Sequence, residues 1–255
     1  MAADAAYAIG NGHVVCQDYA AAVRNAAMVS DGCSGSPDTD IGSRMLVRAA
    51  IVESVGGLDE TLAIRSAGLA LKWASAIGIP TPSTGPGCLD ATLLHVYKDD
   101  GWLRATVCGD GGIVARRTTG ELEWHGVEYA AAAPPYPIYG LQQHRLEAWK
   151  SVGVGSVRTW NGQWESPTPT RFFSPISMAF SVDSYDLVGV VSDGVTTFVD
   201  GVKPVDEVEV LRHLVAFRSF AGGFVQRRLR RFLRKTCVEM GWCHHDDISI
   251  AVVTR

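Results

Sequence analysis

A fold that mixes helices with antiparallel sheet (α+β) is what the sequence predicts, and three patterns carry that reading. Residues 91–124 form a meander: apolar-rich runs at 91–97, 102–108, 113–117 and 121–124 are separated by Asp99-Asp100-Gly101, Gly109-Asp110-Gly111-Gly112 and Thr118-Thr119-Gly120, which are turn sequences. Segments before and after the meander carry apolar residues at intervals of three and four, the period of a helix lying on a sheet. Finally, short apolar runs end or begin abruptly at aspartate, as in Met28-Val29-Ser30-Asp31-Gly32, Val190-Val191-Ser192-Asp193-Gly194 and Asp246-Asp247-Ile248-Ser249-Ile250.

Taken in order, residues 7–30 read as strands and turns, with Gly10-Asn11-Gly12 as a turn signal and 18–24 as a strand leading into the next. Thr39 or Asp40 caps a helix whose Ile41, Met45, Leu46, Ala49 and Val52 share one side until Gly56-Gly57. A second helix, about 59–77, places Leu62, Leu69, Ala70, Trp73 and Ile77 on one face, which makes Trp73 a core residue. The stretch 80–87 is a proline and glycine loop. Beyond the meander, about 125–175 reads as an irregular proline- and aromatic-rich excursion, with Pro134-Pro135-Tyr136-Pro137 and with Trp160 and Trp164 exposed. Two helices follow, about 204–217 and 223–240. The second contains Arg227-Arg228-Leu229-Arg230-Arg231-Phe232-Leu233-Arg234-Lys235, where Val225, Leu229, Phe232 and Leu233 keep amphipathic spacing, so the arginines form a solvated face on a packed helix.

With 255 residues and 47% hydrophobic content, the chain has enough apolar surface for one substantial domain over 1–255. A net charge of −4 supplies no general basic field, so neither nucleic acid nor an anionic membrane is the expected partner. The six cysteines fall in neither a CxxC pair nor a disulfide framework, which suits reduced thiols. No basic leader precedes an apolar core at the N-terminus, and the expectation is a cytoplasmic protein.

Strands bring remote parts of a chain side by side, so three aspartate-bearing strand ends can meet. Carboxylates that close repel one another, and a bound cation relieves the repulsion. Oxygen donors without an accompanying His/Cys pair favour a hard divalent ion, Mg or Mn, over zinc.

In order and approximate spacing, Cys16-Gln17-Asp18, Ser30-Asp31-Gly32, Gly109-Asp110, Ser192-Asp193-Gly194 and Asp246-Asp247-Ile248-Ser249-Ile250 resemble the motifs of the metal-dependent protein phosphatases of type 2C, across nearly the whole chain. The resemblance implies a four-layer α-β-β-α sandwich with two central antiparallel sheets. It implies a bacterial-type catalytic domain that hydrolyses phosphoserine and phosphothreonine with two Mg or Mn ions and the water between them, acting on phosphoproteins made by a serine/threonine kinase. By position, Asp31 would bridge both ions, the Gly32 carbonyl would bind the second, Asp193 and Asp246 would complete the first, and Asp18 would orient or deprotonate the attacking water. Cys33, beside Asp31, lacks basic neighbours in sequence and is expected to be a spectator.

Departures from the family pattern bear on the site. Where many members have a phosphate-holding arginine this chain has His13, a candidate phosphate or proton donor set against a plain turn histidine. Where a second aspartate often follows the Asp193 motif it has Thr197, which weakens Asp110 as an additional ligand and leaves it a role in its own turn. Asp247 is expected to bond backbone at the strand start, and His244 and His245 to be surface residues, since neighbours on a strand point to opposite faces. Two readings compete with catalysis by a phosphatase: a low-turnover, phosphatase-like domain that binds or regulates phosphoproteins, motivated by His13 and Thr197, and a two-metal nuclease or phosphodiesterase, motivated by the arginine-rich helix.

Overall fold

The structure is a computed structural model that describes residues 1–130, 134–152, 154–170 and 174–255. One sheet has five strands in the order β10 (Ile176–Ser181), β5 (Trp102–Cys108), β4 (Leu93–Asp99), β3 (Ala26–Ser30) and β2 (Tyr19–Val23). The other has seven: β1 (Ala3–Ala8), β15 (Ile248–Thr254), β11 (Tyr185–Val191), β6 (Gly111–Arg117), β7 (Leu122–Tyr129), β8 (Gly155–Trp160) and β9 (Thr168–Thr170). Neighbouring strands in both run antiparallel. A small ribbon sets β12 (Phe198–Asp200) between β13 (Lys203–Pro204) and β14 (Trp242–His244).

The two-residue period of the strands sorts their side chains into three apolar layers. In β3, Ala27 and Val29 point into the space between the sheets, where they meet Val188, Val190, Ala251 and Val253 of the opposite sheet. The intervening Ala26 and Met28 point outward onto helices α1 (Thr39–Glu53) and α2 (Leu62–Ala76). On the far side, Val114, Ile250 and Val252 face α4 (Glu207–Leu214) and α5 (Phe224–Arg231). Three apolar seams between four layers are the expected α-β-β-α sandwich. Each fully buried aliphatic side chain contributes about 1.5–3 kcal/mol, so alternation along the strands is enough to fix which face each sheet turns to which partner.

The four strands expected over 91–124 form, but as two hairpins rather than one meander: β4 pairs with β5 in the five-stranded sheet and β6 with β7 in the seven-stranded one, so Gly109-Asp110 crosses between sheets. The Asp100-Gly101 turn takes positive φ at both residues, 37° and 84°, the mirror-image turn that matches strand twist. The helices also form, with corrections. Asp38, in the left-handed region and without a side-chain cap, precedes α1 in place of a Thr39 or Asp40 cap, and Ile41 and Val52 are exposed while Leu46, Val47, Ala49 and Ala50 are buried. In α2 the buried face is Leu62, Ala63, Ser66, Ala67, Ala70 and Ala74, while Leu69 and Trp73 are only partly covered and Ile77 lies past the helix, 67% exposed. Small residues let α2 sit close on α1, so its largest side chains fall at the rim. At the other end of the chain, α5 passes through a π turn at 232–236 into α6 (Cys237–Met240), with Val225, Leu229 and Phe232 buried and Leu233 partly so.

The 125–175 excursion is more regular than expected. It includes the second half of β7, a short helix α3 (Gln143–Val152) and strands β8 and β9, which extend the seven-stranded sheet. Residues 131–133, 153 and 171–173 of that stretch lie outside the described residues. Trp160 is half-buried, and Trp164 is exposed as expected. His244 is buried rather than at the surface: its ring stacks on Phe198 and its Nδ1 lies 2.9 Å from the Asp246 carbonyl oxygen. His245 is exposed.

Candidate active site

Strand register brings the aspartates together. Tyr19 pairs with Ser30, so one step further along the two strands Asp18 lies opposite Asp31. The Asp31 backbone is clamped to the loop before β4: its N–H donates to Thr92 Oγ1 (3.0 Å) and its carbonyl accepts from Thr92 N–H (2.8 Å). In the other sheet β11 and β15 run side by side, and Ser192 N–H donates to the Ser249 carbonyl (3.0 Å). That contact sets Asp193, just past β11, beside Asp246 and Asp247, just before β15. Gly194 is required there: a Cβ would lie 1.7 Å from the Asp247 carbonyl oxygen. Asp110 comes from the β5–β6 turn, between Gly109 and Gly111 at φ of 110° and 108°.

Asp31, Gly32, Asp110, Asp193 and Asp246 thus line one cavity of about 260 Å³, closed on its other side by Cys33, Pro134 and Tyr136. Asp18 lies beneath it, fully buried; its Oδ2 accepts from Ser192 Oγ (2.7 Å), and Ser192 Oγ accepts in turn from Ser249 N–H (2.9 Å). Asp18 Oδ1 and Asp193 Oδ1 are buried without a hydrogen-bond partner.

The electrostatics follow from this crowding. Burial pushes Asp18 up to about 7, against the hydrogen bond from Ser192. Asp31 is raised well above the ordinary carboxylate value by burial and by the charges of Asp18 and Asp193. Asp110 is pushed up to about 8 by burial and then by Asp193, and the same two causes raise Asp246.

His13 does not line the cavity. Its Nε2 lies 3.5 Å from Asp246 Oδ1 and its Nδ1 3.1 Å from Asp247 Oδ2, behind the acid that faces inward. Burial works to lower its pKa, but Asp247, Asp246 and Asp18 together raise it. Asp247 behaves as expected of a strand-start residue, accepting from Gly10 N–H (2.8 Å) and Gln17 N–H (2.5 Å). Thr197 has a bracing position: its hydroxyl donates to the Gly194 carbonyl (2.9 Å) and accepts from Asp246 N–H (3.2 Å), tying two acid-bearing loops together. Sequence reasoning missed Thr92 and the Ser192–Ser249 pair. The Ser-Asp pattern shared by Ser30-Asp31 and Ser192-Asp193 was their only signal.

The donor set fits hard divalent cations. Apart from the Cys33 thiol the side-chain donors lining the cavity are oxygens, the carboxylates raise one another's pKa, and two of the acids' oxygens are buried and unpartnered. Among the described residues no group of three or more His, Cys, Asp or Glu side chains stands where it could hold one metal ion, so the acids share a cavity without closing on a single point. An open array with few carboxylates per ion suits magnesium-like cations, which keep several waters.

The protein phosphatase 2C family model matches residues 8–131, which include Asp18, Asp31, Gly32 and Asp110; Asp193 and Asp246 lie beyond it. No curated protein matches the sequence. Among solved structures, the chain is similar to the PPM Ser-Thr phosphatase MsPP from Mycobacterium smegmatis, with 15% identity and a TM-score of 0.57 over 100% of this chain and 98% of that one. It is also similar to Stp1 from Staphylococcus aureus (11%, TM-score 0.58, 100% and 95%). A third match is the catalytic domain of PstP in complex with two manganese ions (14%, TM-score 0.53, 99% and 96%). At these identities the shared property is the fold.

Proposed function

That the chain belongs to the protein phosphatase 2C family is the premise from which we propose how this metal-dependent serine/threonine protein phosphatase works. The carrying observation is the convergence of Asp31, Asp110, Asp193 and Asp246, from four separate loops, on one cavity.

In this reading Asp31, the Gly32 carbonyl, Asp193 and Asp246 hold two divalent cations, Mg or Mn, as the two manganese ions of the PstP structure suggest. When bound, such a pair supplies charge that neutralises phosphoryl oxygens and makes water a nucleophile near neutral pH. Asp18, buried beneath the cavity with one oxygen fixed by Ser192 and the other unpartnered, is assigned the proton of the attacking water in this reading. His13 serves as a positioning residue that steadies Asp246 from behind. Asp110 is an additional ligand at the cavity's edge, and Thr197 holds the Asp193 and Asp246 loops at a fixed separation where the family often has an acid.

The substrates are phosphoserine and phosphothreonine proteins in the cytoplasm, modified by a serine/threonine kinase. Among the described residues no helix is long and apolar enough to cross a membrane. The test is hydrolysis of a phosphothreonine peptide: Mn- or Mg-dependent turnover, abolished by chelator and by Asp31→Asn, supports the assignment. Tight peptide binding without turnover would replace it with a regulatory phosphoprotein-binding role.

A further inference from the structure

The arginine run reserved for a solvated face builds a pocket. Arg218, Arg227, Arg228, Arg230, Arg231 and Arg234 surround a hollow of about 480 Å³ on the outer helical layer. Its floor is apolar: Phe217 and Phe224 meet edge to face at 5.0 Å, part of a cluster with Phe220. Among the described residues, no carboxylate pairs with any of the six guanidinium groups. Arg227 donates to the Ala221 carbonyl (2.6 Å) and Arg228 to that of His213, which fixes the two stems without neutralising them. Asp4 accepts from Val225 N–H in the first turn of α5 (2.6 Å) and does not line the hollow.

We propose that this pocket docks a phosphorylated segment of a protein partner, with phosphoryl groups held by the arginines and an apolar side chain seated on Phe217 and Phe224. Three features select that occupant. The cations are arginines, whose planar forks bind phosphoryl oxygens two at a time, and the neighbouring Lys235 is not among the lining residues. A phosphoryl group brings nearly two charges and three acceptors to one point, which relieves a crowded cluster better than single carboxylates. The hollow is concave with an aromatic floor, a shape that takes a side chain and that a flat lipid surface or an extended sugar-phosphate backbone would not fill. Neighbouring charge acts on the cluster already: burial, then Arg231 and Arg218, lower the pKa of Arg228. The inference stands apart from the catalytic assignment, since it concerns a site lined by none of the cleft residues.

The probe is a fluorescein-labelled peptide carrying two phosphoserines around a leucine, titrated by anisotropy at ~100 mM salt in chelator, so that no turnover consumes it. Binding is expected, with at least about tenfold loss of affinity in the Arg230→Glu/Arg231→Glu/Arg234→Glu variant and a smaller loss in the matching triple lysine variant. Hydrolysis of p-nitrophenyl phosphate with Mn should stay within about twofold of the parent in both, as expected of exposed positions remote from the cleft, which also reports folding. Equal affinity in the glutamate variant, no binding up to ~1 mM, or tighter binding of a single-stranded oligonucleotide or of phosphatidylserine vesicles would overturn the proposal. Loss of p-nitrophenyl phosphate hydrolysis in the parent protein would bear on the cleft alone.

Discussion

The cleft and the arginine pocket both gather like charge, and they differ in what holds the charges together. In the cleft, Asp31 is clamped by Thr92, Asp18 by Ser192, and the Asp246 loop by Thr197, with the strands of two sheets behind them. The carboxylates are crowded in a poorly solvated place and raise one another's pKa. In the pocket, five of the six arginines are exposed on one helix and the loop before it, where water and salt screen them. Rigid assembly of buried like charge carries a standing electrostatic cost that a cation or bound protons must relieve, whereas exposed arginines can wait for an anion at little cost. The first arrangement suits catalysis and the second suits docking.

The sharpest way to break the contrast is at Asp31. Asp31→Asn should lower kcat/KM for a phosphopeptide on the order of a thousandfold, equivalent to several kcal/mol of lost charge stabilisation. Activity within tenfold of the parent would remove Asp31 from the centre of the site. Asp18→Asn should cost about a hundredfold in kcat with little change in KM, the size expected for a positioned proton acceptor; a loss confined to KM would make Asp18 a binding group. Ser192→Ala, which frees the second oxygen of Asp18, should cost about tenfold, as for groups one step behind a ligand.

Stability offers a gentler probe. In the ion-free protein Asp18 and Asp110 hold their protons up to about 7 and about 8, against 3.8 for an unperturbed aspartate. Between those values the folded state keeps protons that the unfolded chain has released, so stability is fully present below about pH 4, falls as pH rises through the folded values, and levels off above about 8. Thermal melts in chelator at pH 5 and pH 8 should show the lower Tm at pH 8, and saturating Mn should restore it. A Tm in chelator that rises over that interval would contradict the buried-acid description. The smallest effect belongs to the pocket: reversing Arg230 and Arg231 should change unfolding free energy within about 0.5 kcal/mol, read by urea denaturation.

Much of this site was legible as a string of letters. Asp31-Gly32, Asp193-Gly194 and Asp246-Asp247 announce themselves because a buried strand that stops at a carboxylate and a glycine leaves a recognisable local pattern. Thr92 and Ser192 were not legible, since a hydroxyl in or beside a strand looks the same whether it faces solvent or braces a catalytic acid sixty or more residues away; Ser249 acts through its backbone N–H, which carries no signal in the sequence. The 125–175 region misled for a related reason. Its prolines and glycines mark turns, but β8 and β9 are strands only because β7 offers an open edge to pair with.

Local chemistry therefore settled the periodicities: which segments coil, which extend, and which of their faces are apolar, because each is set by neighbours within a few residues. The sequence also settled the ordered aspartate motifs and the amphipathic character of α5. Tertiary structure alone decided that Asp110 joins Asp31, Asp193 and Asp246, that His13 stands behind Asp246 rather than at the cavity wall, and that the arginines of α5 curve with Arg218 around two phenylalanines. Those outcomes depend on register and layer packing between segments far apart in the chain, and no window of sequence contains the distances on which such electrostatics depend.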